Sequence, residues 1–286
     1  MGESIGEFDL IRRYFTHGTR HTVLGVGDDA ALFKVRRGHV LAVSADMLVE
    51  GRHFFKDADP EALGHKTLAV NLSDLAAMGA TPRWATLALA LPRADERWIA
   101  AFSSGFMRLA RKHDVDLIGG DTTRGPLNLC VQIMGEVPLN GALRRDAARV
   151  GDEVWVSGTL GDAALTVAVR AKRIDFKKQM LTSISRRLDK PKPRVELGLA
   201  LRGIARSAID ISDGLLGDLA HICERSGVAA TLNVDALPVS RAFKPLRETT
   251  DGLRFLLTGG DDYELCFTAP PLRHQAVLRE IGRAHV

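Results

Sequence analysis

The chain has 286 residues, 45% of them hydrophobic and 26% charged, enough apolar material for one large or two medium domains and too ordinary a charge content for wholesale disorder. Its formal net charge of +4 suggests nucleic acid only until the charge is placed. Arg170 to Arg194 holds ten basic residues against Asp175 and Asp189, and the rest of the chain is net acidic. No run approaches the ~20 apolar residues that span a bilayer, and Met1 to Glu7 lack the basic start and apolar core of a signal peptide. Cys130, Cys223 and Cys266 are odd in number and widely separated, so each is expected to pack as a small apolar residue rather than to form a disulfide or zinc site. These features predict a soluble cytoplasmic protein without a membrane or nucleic-acid partner.

Strands and helices alternate along the chain. Leu41 to Ser44 reads as a short buried strand ending at Ala45-Asp46, and Pro60 to Met78 as a helix with Leu68, Leu72, Leu75 and Ala76 on its apolar side and Gly79 as its stop. Arg83 to Leu91 reads as a strand, and Asp95 to His113 as a helix whose stripe is Trp98, Phe102, Phe106 and Leu109. Leu117-Ile118 leads into a Gly119-Gly120-Asp121 turn, and Leu127 to Val137 is another strand. Glu153 to Val156 opens a second domain, followed by a glycine turn and a helix over Asp162 to Ala171. The basic stretch surrounds Met180, Leu181, Ile184 and Leu188 as an amphipathic helix with a solvated basic face, then Lys190-Pro191-Lys192-Pro193 as a stiff extended turn. Ser212 is the expected N-cap of a helix through Leu215, Leu219 and Cys223 that Gly227 closes. Leu253 to Leu257 reads as a strand ending at Gly259-Gly260-Asp261-Asp262. Mixed elements in two halves predict an α/β (α+β) protein of two domains, 1–138 and 149–286.

The chemically informative feature is a set of aspartates at glycine turns and strand ends. It comprises Gly27-Asp28-Asp29, Ser44-Ala45-Asp46, Asn71-Leu72-Ser73-Asp74, Gly119-Gly120-Asp121, Asp210-Ile211-Ser212-Asp213-Gly214 and Gly259-Gly260-Asp261-Asp262. A single Gly-Asp pair is ordinary turn chemistry, but six such sites framed by apolar segments are not. Short carboxylates of this kind are hard oxygen ligands suited to Mg²⁺. No G-x-x-x-x-G-K-[ST] or G-x-S-x-G occurs. Gly25-x-Gly27 lacks the third glycine of a dinucleotide fingerprint and is followed by two acids that repel a bare pyrophosphate.

Together these residues resemble the thiamine-monophosphate kinase family, within the aminoimidazole-ribonucleotide-synthetase-like ATP-binding superfamily. The resemblance runs from Gly6-Glu7-Phe8 to about Phe267. It is carried by Gly27-Asp28-Asp29-Ala30, Gly51-Arg52-His53-Phe54, Asn71-Leu72-Ser73-Asp74-Leu75-Ala76-Ala77-Met78-Gly79-Ala80, Gly119-Gly120-Asp121-Thr122-Thr123 and Gly260-Asp261-Asp262-Tyr263-Glu264-Leu265. It implies a two-domain fold whose N-terminal sheet domain dimerises, and a homodimer that phosphorylates thiamine monophosphate with ATP and several Mg²⁺ ions.

On the resemblance, Asp29, Asp46, Asp74, Asp121 and Asp210 are metal ligands, joined by Ser44 and Asp213, with Asp28 beside them. Position 45 is Ala where the family often has Thr, which leaves a carbonyl as its contribution. Gly120, Asp121, Arg145 and Ser212 are implied ATP contacts, and His53 and Asp261 substrate contacts. No side chain is implied as a catalytic acid or base, because the acceptor phosphate monoester is already largely a dianion near pH 7. Family members usually continue beyond Ile281-Gly282, so the second domain is expected to be truncated and no aromatic residue is assigned to the thiamine rings. The alternatives are another ATP-using enzyme of the superfamily or a non-catalytic nucleotide- and Mg²⁺-binding protein.

Overall fold

The computed structural model describes residues 7–284. Met1 to Gly6, most of the segment compared with a signal peptide, and His285-Val286 lie outside the described residues. The chain divides into two units, Met1–Leu75 with Thr81–Leu139, and Ala76–Ala80 with Asn140–Val286.

In the first unit α1 (Glu7–Leu10) runs directly into a π-helical turn, Ile11–Phe15, and β1 (Thr22–Leu24) pairs antiparallel with β2 (Leu32–Phe33). Then follow β3 (His39–Val49), α2 (Pro60–Ala77), β4 (Thr81–Leu91), α3 (Glu96–Lys112), β5 (Asp116–Arg124) and β6 (Asn128–Pro138). The four long strands form one sheet in the order β3-β6-β4-β5, antiparallel except for β4 and β5. β3 and β5 are therefore its two edges.

Apolar periodicity explains the helices. Ile99, Phe102, Phe106 and Leu109 of α3 are buried, and Asp95 caps the helix by accepting the Arg97 and Trp98 amides. α2 and α3 approach at backbone distance, because a Cβ on Gly64 would lie 2.0 Å from the Phe102 carbonyl oxygen and one on Gly105 1.9 Å from that of Glu61. Alternation along β6 buries Leu129, Val131 and Ile133. The other alternating set on β3 leaves Leu41, Val43 and Met47 exposed.

The second unit contains β7 (Glu153–Val156), α4 (Asp162–Arg170), α5 (Lys178–Asp189), α6 (Val195–Ala200), β8 (Ser207–Asp210), α7 (Leu215–Ser226), α8 (Thr250–Thr258), β9 (Leu265–Ala269) and α9 (His274–Ala284). Its sheet is antiparallel, in the order β7-β9-β8. Leu160, Leu165, Ile184, Ile209, Leu219, Phe243, Phe255 and Cys266 are central to its core. Burial pushes the Cys266 thiol up to about 12, so it is an inert apolar residue; all three cysteines are free.

Four sequence expectations are corrected. Ala45-Asp46 does not end a strand but lies inside β3, and Gly119-Gly120-Asp121 is not a turn but part of β5. Leu253 to Leu257 is not a strand: it lies in α8, where Thr249 Oγ1 accepts the Gly252 amide and Gly252, Phe255 and Leu256 face inward. An apolar run this short carries either period, and the cap decides it. Ser212 is not an N-cap either; Gly214 holds that position in α7 and supplies no side chain.

The basic stretch also differs from a wholly solvated face. Arg187 and Arg194 turn inward onto Glu264, and Arg170 pairs with Asp189.

Candidate functional site

At the β3 edge of the first unit the Ser44 hydroxyl donates to Asp74 Oδ2 at 2.6 Å, and the Asp46 amide donates to Asn71 Oδ1 at 3.1 Å. Asn71 and Asp74, three residues apart on α2, share the helix face that meets the strand. Fully buried Asn71 is itself fixed by donating its Nδ2 to the Thr67 carbonyl at 3.0 Å. His53 is exposed in the turn after β3, where its Nδ1 accepts the Val49 amide at 3.0 Å.

At the opposite edge a cavity of about 620 Å³ is lined by Asp28, Asp29, Gly120 and Asp121, with Phe15 and Thr86 among its walls. Asp28, Asp29 and Asp121 are exposed, and no described residue donates a side-chain hydrogen bond to Asp29 or Asp121. Gly120 is obligatory in this wall: its φ is +152°, and a Cβ would sit 1.9 Å from the Leu87 carbonyl oxygen. Buried Asp116 anchors the approach to Asp28-Asp29 by accepting the Arg20 and His21 amides and the Thr22 hydroxyl.

The strand register separates the two groups. Asp46 pairs with Val131, Val131 with Leu87, and Leu87 with Gly120. Three strand spacings put Asp46 and Gly120 about 14 Å apart. Oxygens sharing one Mg²⁺ at ~2.1 Å lie no more than ~4 Å from each other. The unit therefore does not gather Ser44, Asp46 and Asp74 around the same ion as Asp29 and Asp121. Among the described residues no group of three or more His, Cys, Asp or Glu is arranged to hold a metal.

In the second unit, Asp210 ends β8 buried, Ser212 is half-buried and Asp213 is exposed with no described donor to its carboxylate. Asp218 Oδ2, from the first turn of α7, accepts the amides of Ser212, Asp213 and Gly214 at 3.1, 3.2 and 3.1 Å. Burial pushes the Asp218 carboxyl upward, and those amides offset part of the effect.

The 210–214 loop is stitched to the next one: the Asp261 amide donates to the Ser212 carbonyl and the Tyr263 amide to that of Ile211, both at 2.8 Å. Asp261 and Tyr263 take φ of +66° and +50°, uncommon for residues with a Cβ. The Tyr263 hydroxyl donates to Asp261 Oδ1 at 3.1 Å.

Beneath this pair of loops, fully buried Glu264 accepts two hydrogen bonds from Arg194, at 2.6 Å each, and further ones from Arg187 and Ser157. Burial pushes the Glu264 carboxyl up, but its Arg194 and Arg187 partners outweigh that and hold it below the usual range. Asp262, equally enclosed, accepts only the Gly161 amide among the described residues, and burial pushes its carboxyl well above the ordinary value. Arg145 is exposed, and its carbonyl accepts the Ser226 hydroxyl at 2.8 Å.

Sequence reasoning missed Asp116 and Asp218 and quoted Asn71 only as part of a motif; all three organise backbone around the expected ligands. For Asp218 a signal was present: an acid in the first turn after a glycine that brings no capping side chain.

The two halves match in turn the AIR synthase related protein, N-terminal domain, over residues 27–137, and the corresponding C-terminal domain over residues 149–286. These matches define the class, a two-domain AIR synthase related protein of mixed α and β structure. The thiamine-monophosphate kinase of Salmonella typhimurium is 49% identical over 288 residues, covering 98% of this chain and 88% of its own. A crystal structure of the Stenotrophomonas maltophilia K279a enzyme of that name matches with a TM-score of 0.86 at 52% identity, over 91% of this chain and 84% of that one. A structure described as AaThiL complexed with AMPPCP and TMP matches with a TM-score of 0.78 at 32% identity, over 87% of this chain and 81% of that one. The chain belongs to the thiamine-monophosphate kinase family. No helix among the described residues is long and apolar enough to cross a membrane.

Proposed function

We propose that this chain transfers the terminal phosphoryl group of ATP to the phosphate of thiamine monophosphate, giving thiamine diphosphate. The observation that carries the reading, beside family membership, is the set of exposed carboxylates with no described donor, Asp29 and Asp121 on the cavity and Asp213 on its loop. Such a set opposes two anionic substrates when bare and serves them when it binds cations. The donor set is all hard oxygen and fits Mg²⁺. Asp29 and Asp121 at one edge of the first sheet, Ser44, the Ala45 carbonyl, Asp46 and Asp74 at the other, and Asp210 and Asp213 in the second unit are the residues that would hold such ions, not all of them the same one. When bound, magnesium offsets the repulsion between the phosphate dianion and the triphosphate.

The protein's own part is positioning. Asn71 holds the Asp46 backbone, Ser44 holds Asp74, and the glycine at 120 lets the cavity wall lie against the Leu87 carbonyl. Gly120, Arg145 and Ser212 contact ATP in this reading, and His53 and Asp261 the thiamine monophosphate. No side chain need remove a proton, since the attacking oxygen belongs to a dianion.

The working form in this reading is a cytoplasmic homodimer. The acids of one sheet lie at opposite edges, about 14 Å apart, so a second copy would bring its Asp121 to the Ser44, Asp46 and Asp74 group of the first. Exposed Leu41, Val43 and Met47 on β3 supply an apolar surface for that contact. The test incubates purified protein with Mg-ATP and thiamine monophosphate and follows thiamine diphosphate and ADP. Equal amounts of both, dependent on Mg²⁺, are expected; ADP without thiamine diphosphate would overturn the assignment.

A further inference from the structure

We propose that Asp218 is a positioning residue that shapes the 210–214 loop and, through it, Asp261; this rests on the function proposed above. Its carboxylate is 4% exposed, and a single oxygen collects three successive main-chain amides, those of Ser212, Asp213 and Gly214. Three consecutive N–H groups converging on one point make an anion-binding nest. Here the anion is built into the chain, five residues beyond Asp213.

Nothing else described satisfies those amides. Gly214, the residue preceding α7, offers no side-chain cap, and its φ of +124° belongs to a position where a Cβ would meet the Thr258 carbonyl carbon at 2.7 Å. Without the Asp218 carboxylate the three dipoles would face one another with no counter-charge, and the loop would relax away from that geometry.

The consequence reaches further than the helix start. Ser212 and Asp213 ride on the backbone that Asp218 holds, and the Ser212 carbonyl in turn receives the Asp261 amide at 2.8 Å. One side chain thus fixes residues assigned to metal, nucleotide and thiamine monophosphate. By filling the nest it leaves none of those three amides open to a phosphate, so the nucleotide meets the Ser212 hydroxyl and a cation the Asp213 carboxylate.

The experiment compares the full-length wild type with Asp218→Ala, Asp218→Asn and Leu219→Ala. Leu219 is the neighbouring α7 residue, 5% exposed in the apolar core, and controls for loss of helix packing alone. The readouts are kcat/KM for Mg-ATP, Mn²⁺ binding by electron paramagnetic resonance, and Tm. Asp218→Ala is expected to lose kcat/KM by roughly a hundredfold, the scale of an ångström's misplacement, and to bind Mn²⁺ more weakly. Added formate, which fits the space of the lost carboxylate, is expected to restore part of both in Asp218→Ala and to leave the wild type and Leu219→Ala unchanged.

Should Asp218→Ala not fold, Asp218→Asn decides by a raised KM for ATP at near wild-type Tm. The proposal is overturned if the folded Asp218 variants keep wild-type KM and Mn²⁺ affinity. It is equally overturned if they lose function only in proportion to Tm, as Leu219→Ala does, without a response to formate. Failure of the wild type to make thiamine diphosphate would strike the reaction assignment alone, because the Mn²⁺ and formate arms read the loop independently of turnover.

Discussion

The cavity acids of the first unit and the interior acids of the second are used in opposite ways. In the first, Asp29 and Asp121 stand exposed on a cavity without described donors. In the second, Asp218, Asp262 and Glu264 are buried and turned inward, onto backbone amides in the first two cases and onto two arginines and a serine in the third. An acid enclosed with its own donors is structural; an acid held open beside fixed backbone is disposed to take a cation. Composition counts both kinds alike, and only their hydrogen-bond partners distinguish them.

The comparison breaks most sharply if the acids assigned to cations prove dispensable. Asp74→Asn and Asp121→Asn should each lower kcat about a thousandfold or more, the scale of losing metal-borne charge stabilisation, while Tm moves little. If the proposed dimer shares its sites between copies, mixing the two inactive proteins under conditions of subunit exchange should recover roughly a quarter of wild-type activity, because half the dimers would be mixed and each would have one intact site. No recovery would assign both residues to a site within one chain.

The enclosed acids should fail by unfolding instead. Glu264→Gln leaves Arg187 and Arg194 facing each other in the interior and should cost about 3–5 kcal/mol, measured by urea denaturation.

A smaller effect concerns pH. Glu264 is held below its usual range, so its contribution is present above the ordinary Glu value of about 4.3 and lost as pH falls through the lowered folded-state value. Asp262 runs the other way. Its raised value makes its contribution greatest below about pH 3.9, and that contribution is lost as pH rises toward the folded-state value. Asp262→Asn keeps a carbonyl oxygen for the Gly161 amide and should remove that part of the pH dependence of stability, which chemical denaturation between pH 4 and 8 would reveal. The smallest change is Arg170→Ala, which breaks a partly exposed pair with Asp189 and should cost no more than about 1 kcal/mol.

The sequence was informative where one period or one motif settled the matter. The stripe of α3, the strand at Glu153–Val156 and the αL stop at Gly227 are where Trp98 to Leu109, the β-branched residues and the glycine put them. It was silent on which acids are neighbours. Ser44, Asp46 and Asp121 are all recognisable by motif, yet β6 and β4 lie between them, and sheet order is decided by long-range pairing that no local pattern encodes. The Thr249 cap outweighed the strand-like look of Leu253 to Leu257. Asp218 escaped notice because its role is played toward the backbone behind it, not toward a ligand.

The Glu264 cluster has a consequence for how the chain comes into being. Its partners lie 107 residues upstream, at Ser157, and 70 upstream, at Arg194. A ribosome releases both, along with Arg187, well before Glu264 and the strand that follows it. Until that strand emerges, the emerging half carries two arginines destined for the interior without the carboxylate that both of them bind. Completion of the second unit is therefore a late event in synthesis, set by the arrival of one carboxylate, and the basic stretch is best shielded by water or a chaperone until then.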